Sequence, residues 1–280
     1  MAAYAYRLVN VFIQGRRALS GNPLCVFERA QTLDEPTMQA LALQFNLSET
    51  TFILPSERAS ARVRIFTPRY EMPFAGHPTL GTAHVCRALG LGGERLTLEM
   101  RSGVIAVRAV DDRWTLQANA PSWREVTEPR ALLAGMLGLA ERDLADRPLW
   151  VNAGREQLIV PLASEAAVRR VNVQAGLLAE LKSSDGQSQV YVFAAAGAGT
   201  LARFFFPVGN SVREDPATGS ATANLGGWLL ATGRTLPCEL DLSQGEYTGR
   251  PSQLRLQVDV ERRVFVSGEV IEIGRGTITL

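Results

Sequence analysis

Hydrophobic and polar positions alternate along much of this 280-residue chain, in short runs of strand length. In ARVRIFTP (61 to 68), Val63 and Ile65 interleave with Arg62 and Arg64, the period-2 pattern of a strand with one buried face. Similar runs are YRLVNVF (6 to 12), PLCVF (23 to 27), TTFILP (50 to 55), RLTLEM (95 to 100), GVIAVRAV (103 to 110) and RWTLQA (113 to 118). Helical periodicity interrupts them twice. From Asp34 to Asn46, Asp34 is a candidate cap, Pro36 fits the first turn, and Met38, Leu41, Ala42 and Phe45 share one stripe. A second helix, rich in small residues, is predicted from near Pro78 to about Leu89, stopped by Gly90.

The plan then recurs. Short helices are predicted around 130 to 138, 164 to 169 and 172 to 182. Strands are predicted at REQLIVPL (155 to 162), QVYVFAAA (189 to 196) and ARFFFP (202 to 207). A helix from about Ser220 to Ala231 follows, and the chain closes in strands such as QLRLQVDV and RRVFVSGEVIEIGRG. Mostly antiparallel strands with few helices predict an α+β protein rather than a parallel βαβ series. The repeat has detail: Glu71, Pro73, Gly76 and Thr79 recur as Glu214, Pro216, Gly219 and Thr222, each 143 residues on. RIFTP precedes one segment and RFFFP the other. An offset near half the chain implies two similar domains, expected at 1–120, completed by the final C-terminal strand, and 121–280.

Composition removes several function classes. The formal net charge is +1 and the arginines are scattered, so neither nucleic acid nor an anionic membrane is an expected partner. The N-terminal run has no basic n-region and is too short for a signal peptide or membrane span, so the expected location is cytoplasmic. Three widely spaced cysteines make neither a disulfide framework nor a zinc site. Only His77 and His84 are histidines, seven residues apart, which does not suit a metal helix, so no metal is expected. Neither GxGxxG nor a P-loop occurs, leaving no basis for a nucleotide cofactor. GxSxG is absent too, and no histidine follows Ser220, which disfavours a serine hydrolase.

Polar residues near the two glycine turns supply the candidate chemistry. Each turn feeds a helix whose first amides lack internal partners and suit a carboxylate or enolate. If the domains face one another, both helix starts open into one crevice, a common place for a small-molecule site. Glu49, between a helix and a buried strand, either makes local turn bonds or moves a proton at raised pKa. His77 is either a backbone-bonded cap or a ligand-facing relay; His84 is expected to be a packing residue. Asp215 either caps its turn, directed toward Gly219 or Ser220, or holds substrate or orients His77. Ser220 is an N-cap candidate. Arg155 and Arg213 are candidates for an additional anionic group.

GNPLCVF (21 to 27), NLSETTF (46 to 52), RIFTPRYEMPFAGHPTLGTAH (64 to 84) and REDPATGSATANLGG (213 to 227) together resemble the PhzF-like family, phenazine-biosynthesis-type isomerases related to diaminopimelate epimerase. The resemblance spans essentially the whole chain. It implies two pseudo-symmetric epimerase-like domains, each a mostly antiparallel sheet wrapped around a central helix, with an active site between them and no cofactor. It implies a cofactor-independent isomerase moving a proton on a small carboxylated metabolite, commonly as a homodimer. Glu49 then corresponds to the general acid/base, with His77 and Asp215 as further catalytic residues. Gly76, Pro78, Gly219 and Ser220 line the substrate-binding turns. Related amino-acid epimerases use two thiols, one per domain. The corresponding positions here are Ala75 and Thr218, so two-thiol racemisation is disfavoured. A non-thiol epimerase or racemase, or an inactive small-metabolite binding protein, are the alternatives.

Overall fold

The computed structural model describes residues 1–280 and divides into two compact units: 1–117 with 267–280, and 118–266. In the first unit the elements run β1 (Ala3–Val11), β2 (Asn22–Phe27), α1 (Glu35–Phe45), β3 (Glu49–Leu54), β4 (Ala61–Phe66), β5 (Glu71–Met72) and α2 (Gly76–Ala88). Then come β6 (Arg95–Met100), β7 (Gly103–Val110) and β8 (Arg113–Gln117). The second unit holds β9 (Ser122–Glu125), α3 (Arg130–Leu137), β10 (Leu149–Asn152), β11 (Glu156–Pro161), α4 (Glu165–Arg170) and α5 (Ala175–Glu180). It continues with β12 (Val190–Ala196), β13 (Gly199–Val208), β14 (Ser211–Asp215), α6 (Gly219–Ala231), β15 (Cys238–Gln244) and β16 (Ser252–Val258). Last is β17 (Val264–Thr279), which starts in the second unit and returns to the first, where it pairs antiparallel with β1 from Ala3↔Thr279 onward.

Strand pairing repeats between the units. In the first, β1/β2, β3/β4, β4/β5 and β6/β7 are antiparallel, while β2/β3 and β4/β6 are parallel. In the second, β10/β11, β12/β13, β13/β14 and β15/β16 are antiparallel, while β11/β12 and β13/β15 are parallel. The sheets are therefore mixed α+β rather than purely antiparallel. The parallel pairs fall where a helix separates the strands in sequence: α1 between β2 and β3, α2 between β4 and β6, α4 and α5 between β11 and β12, α6 between β13 and β15. Parallel neighbours need such a crossover, whereas a hairpin serves the rest.

The central helix of each unit is buried along most of its length, as expected of a helix surrounded by strands. α2 packs against β1, β2, β3, β4, β6 and β8, and α6 against β9, β10, β11 and β16. Small residues set these distances: a Cβ on Gly81 would lie 2.6 Å from Leu24 Cδ2, and one on Gly227 2.6 Å from Val151 Cγ1. Leu24 thus faces α2, while its neighbours Cys25 and Phe27 join the opposite layer with α1. That layer contains Met38, Leu41 and Ala42, with Phe45 against it, as the helical stripe predicts. The corresponding outer layer of the second unit gathers Leu133, Val168, Leu178, Trp150 and Val192 from α3, α4, α5, β10 and β12. Asp34 caps α1, its Oδ1 accepting from Thr37 N at 3.0 Å.

Two helix starts depart from the sequence expectation. α2 begins at Gly76, not Pro78, and α6 at Gly219, so Ser220 lies in the second helical position and Thr218 is the N-cap. Proline at the third position removes only an amide that the first turn leaves without a helical partner. No helix is long and apolar enough to cross a membrane.

Candidate active site

In the first unit, parallel pairing Leu24↔Glu49 sets Glu49 at the start of β3, near the start of α2. Gly76, His77 and Pro78 form the first turn after Ala75. Thr79 closes that turn with both its amide (3.2 Å) and its hydroxyl (2.7 Å) bonded to the Ala75 carbonyl. His77 Nε2 lies 3.5 Å from Glu49 Oε2. The imidazole is almost completely buried, and burial pushes its pKa down to about 3, with a hydrogen bond to the Pro23 carbonyl opposing weakly. A neutral ring that donates to Pro23 leaves its other nitrogen, Nε2, unprotonated and facing Glu49. The positive end of the helix dipole disfavours imidazolium further. One proton then serves two basic atoms: a protonated Glu49 donates to Nε2, and an ionised Glu49 meets a bare lone pair.

The second unit builds its turn differently. Asp215 ends β14, and Thr218 Oγ1 donates to its Oδ2 at 2.5 Å. Gln244, buried at the end of β15, spans the turn. Its Oε1 accepts from Thr218 N at 3.3 Å, while its Nε2 donates to the Asp215 carbonyl at 2.8 Å and to Thr218 Oγ1 at 3.0 Å. Asp215 is thus bonded by the N-cap residue of the helix it precedes. The first helical bonds run from the Thr222 amide (3.0 Å) and hydroxyl (3.1 Å) to the Thr218 carbonyl, repeating Thr79 and Ala75. Ser220 does not cap. Its hydroxyl oxygen accepts from Gln157 Nε2 at 3.1 Å, and Gln157 is bonded in turn to the fully buried Asn224. Arg155 lies 3.8 Å from Asp185, and Arg213 is exposed.

The structure therefore brings Glu49, Gly76, His77 and Pro78 together in one unit, and Asp215, Gly219 and Ser220 together in the other. Sequence reasoning missed Gln157, Asn224 and Gln244, isolated amides whose partners lie 26 to 71 residues away. It also missed an Arg–Glu fork that leads into each turn. Arg64 grips Glu71 through Nε (2.7 Å) and Nη2 (2.6 Å), and Arg203 grips Glu214 through Nε (3.0 Å) and Nη2 (2.7 Å). Each guanidinium also lies over the phenylalanine two residues on, Phe66 or Phe205. The legible signal was the shared Arg-x-Phe of RIF and RFF ahead of a matched glutamate. Bidentate, charge-assisted bonds of this kind fix orientation as well as distance. The Arg64 hydrogen bonds hold the Glu71 carboxyl below the usual range.

Ala75 and Thr218 occupy the two N-cap positions, so neither helix start carries a thiol. Cys25 and Cys86 are buried, and burial pushes the Cys86 thiol up to about 12 and Cys25 higher still. His84 is half-way along α2, its Nδ1 3.8 Å from Asp112. No three His, Cys, Asp or Glu side chains lie close enough to share a metal ion.

Comparison with known proteins places this arrangement. Residues 9–276 match the family described as phenazine biosynthesis-like protein. The chain is 38% identical over 282 residues to an uncharacterized isomerase of Pasteurella multocida, covering 99% of this chain and 95% of that protein. It is 36% identical over 264 residues to the trans-2,3-dihydro-3-hydroxyanthranilate isomerase of Pseudomonas aeruginosa, covering 90% and 89%. A solved PhzF-family phenazine biosynthesis protein from Bacillus anthracis shares the fold, with a TM-score of 0.88 over the full length of both chains at 23% identity. Homology to isomerases over nearly the whole chain supports a catalytic role. The chain belongs to the PhzF-type, phenazine-biosynthesis-like isomerase family, within the wider structural superfamily that includes diaminopimelate epimerase.

Proposed function

We propose that the protein isomerises a small carboxylated metabolite by moving a proton between two carbons, with Glu49 as the group that carries it. The observation behind this reading is the 3.5 Å approach of Glu49 to a buried, neutral His77 at the start of α2. Ionised Glu49 takes a proton from a carbon made acidic by neighbouring unsaturation, and the C–H electron pair spreads into the conjugated system. The protonated carboxyl is then held by the bare Nε2 of His77, where its proton exchanges with solvent, until it delivers a proton to a different carbon. A double bond shifts, the oxidation level is unchanged, and no electron carrier is required.

Gly76 and Pro78 shape one substrate-binding turn, while Gly219, Ser220 and Asp215 hold polar groups of the substrate. First-turn amides are preorganised donors for a carboxylate or developing enolate. The substrate named for the Pseudomonas aeruginosa relative, a carboxylated dihydro ring, has the chemistry this reading requires. The test is conversion of trans-2,3-dihydro-3-hydroxyanthranilate in deuterated water, followed by proton NMR. Turnover with deuterium appearing at the receiving carbon is expected from the unmodified protein, and none from a folded Glu49→Gln variant. Equal turnover by that variant removes Glu49 from the mechanism, and no exchange or conversion by the unmodified protein refutes this substrate class.

A further inference from the structure

Ser220 sits at the end of a chain of amides whose orientation is not arbitrary. Backbone groups fix it. The Ala153 amide can only donate, so the Asn224 atom 2.7 Å from it is Oδ1. The Arg155 carbonyl can only accept, so the atom 2.8 Å away is Nδ2. The second Nδ2 hydrogen goes to Gln157 Oε1 at 2.8 Å. That contact turns the Gln157 amide so that Nε2 faces Ser220 Oγ and Gln189 Oε1, each at 3.1 Å. Asn224 and Gln157 are at most 1% exposed, so water does not compete for these bonds. A hydroxyl has one proton and two lone pairs. With Gln157 donating into one lone pair, and no acceptor of the chain taking its proton, the half-buried Ser220 O–H is left to donate outward.

The residue at the same position of the other central helix has the reverse polarity. His77, second in α2, donates to the Pro23 carbonyl and so presents a bare nitrogen. Pro23 and Gln157 are themselves matched, because each precedes the leucine that opens its unit's parallel pairing, Leu24↔Glu49 and Leu158↔Val190. One strand start supplies a carbonyl to its helix and the other an amide donor. The duplicated framework therefore offers an acceptor at one helix start and a donor at the other.

We infer that Gln157, oriented by Asn224, is a positioning residue that locks Ser220 as a hydrogen-bond donor and so makes this helix start selective for a carboxylate over a neutral amide. The Gly219 and Ser220 amides at the first turn add donors of the same sense. The Asp215 carboxylate nearby suits a substrate that carries its own donor beside the anionic group. The inference rests on the reading that Ser220 contacts substrate.

The test uses anthranilate, fluorescent and anionic, against its neutral counterpart anthranilamide, titrated into the full-length protein and the variants Ser220→Ala, Gln157→Met, Gln157→Glu and Ser220→Ala/Gln157→Met. The unmodified protein is expected to favour anthranilate. Gln157→Met should weaken anthranilate about fivefold, the worth of one ordered hydrogen bond, and should have no further effect once Ser220 is alanine. Gln157→Glu, isosteric and accepting where glutamine donates, should reverse the preference toward anthranilamide. Equal losses from Gln157→Met with and without Ser220 overturn the inference, since they show general damage to packing. An unchanged preference in Gln157→Glu also overturns it. Absence of any Ser220→Ala effect, or of anthranilate binding altogether, instead overturns the substrate-contact reading, and the inference falls with it.

Discussion

The buried histidine carries a measurable pH signature. In the unfolded chain His77 titrates near 6.5, whereas in the folded protein burial pushes its pKa to about 3. Between those values the unfolded chain holds a proton that the folded chain refuses. The stability of the neutral arrangement is fully present above about pH 6.5 and is lost progressively as pH falls toward 3. Each pH unit below 6.5 costs about 1.4 kcal/mol, so at pH 4.5 the penalty is about 2.7 kcal/mol relative to pH 7.5. Urea unfolding of the unmodified protein and His77→Gln at the two pH values isolates this contribution, since the other titrating groups are common to both. The variant should lose about 2.7 kcal/mol less on acidification. Nitrogen-15 NMR gives an independent reading, because only two histidines are present and His84→Gln assigns them. His77 should remain neutral at pH 5, with its proton on Nδ1 and Nε2 bare. A His77 midpoint near 6.5, or the same acid loss in both proteins, refutes the argument and the acid/base pair built on it.

Two further outcomes follow from the described geometry. The Glu71 side chain is only 5% exposed beside Arg64, so Arg64→Met leaves a nearly buried carboxylate with only the exposed Arg101 as a charged hydrogen-bond partner and should cost about 2 kcal/mol in urea unfolding. Arg64→Met/Glu71→Met should recover part of that loss; a single variant as stable as the unmodified protein contradicts the role of the fork. Thiol chemistry should be silent at the site: Cys25 and Cys86 should resist a thiol-selective reagent until the protein unfolds, and exchanging all three cysteines for serine should leave proton-transfer turnover measurable. Rapid native labelling of Cys86, or abolished turnover in a folded cysteine-free variant, contradicts it.

Met38, Leu41, Ala42 and Phe45 were legible as a helix because periodicity and the Asp34 cap act within eleven residues or so. The helix starts at Gly76 and Gly219 were less so. Proline and serine are strong local start signals, yet here the start is set by Thr79 and Thr222 bonding back to Ala75 and Thr218. The parallel pairs escaped period-2 reasoning because alternation reports a buried face, not the direction of the neighbouring strand. Among the candidate residues, Glu49 and His77 were named from the family resemblance, but their 3.5 Å separation depends on β3 and α2 meeting across 28 residues. Gln157 and Asn224 left no signal, since an amide's partner is chosen only when the chain is folded. The Arg–Glu forks are legible in the repeat: the glutamate recurs between the two segments, and so does the arginine two residues ahead of a phenylalanine.

The return of β17 also orders the protein's assembly in time. Every strand of the second unit apart from the first three residues of β17 is complete by Val258, while β1, drawn from the start of the chain, waits for residues as distant as Thr279. During synthesis β1 can pair with β2 but keeps an open edge until the chain has returned to it. The half that carries Glu49 and His77 is therefore begun first and completed last, and a chain cut short after Val258 would keep an adhesive edge on β1.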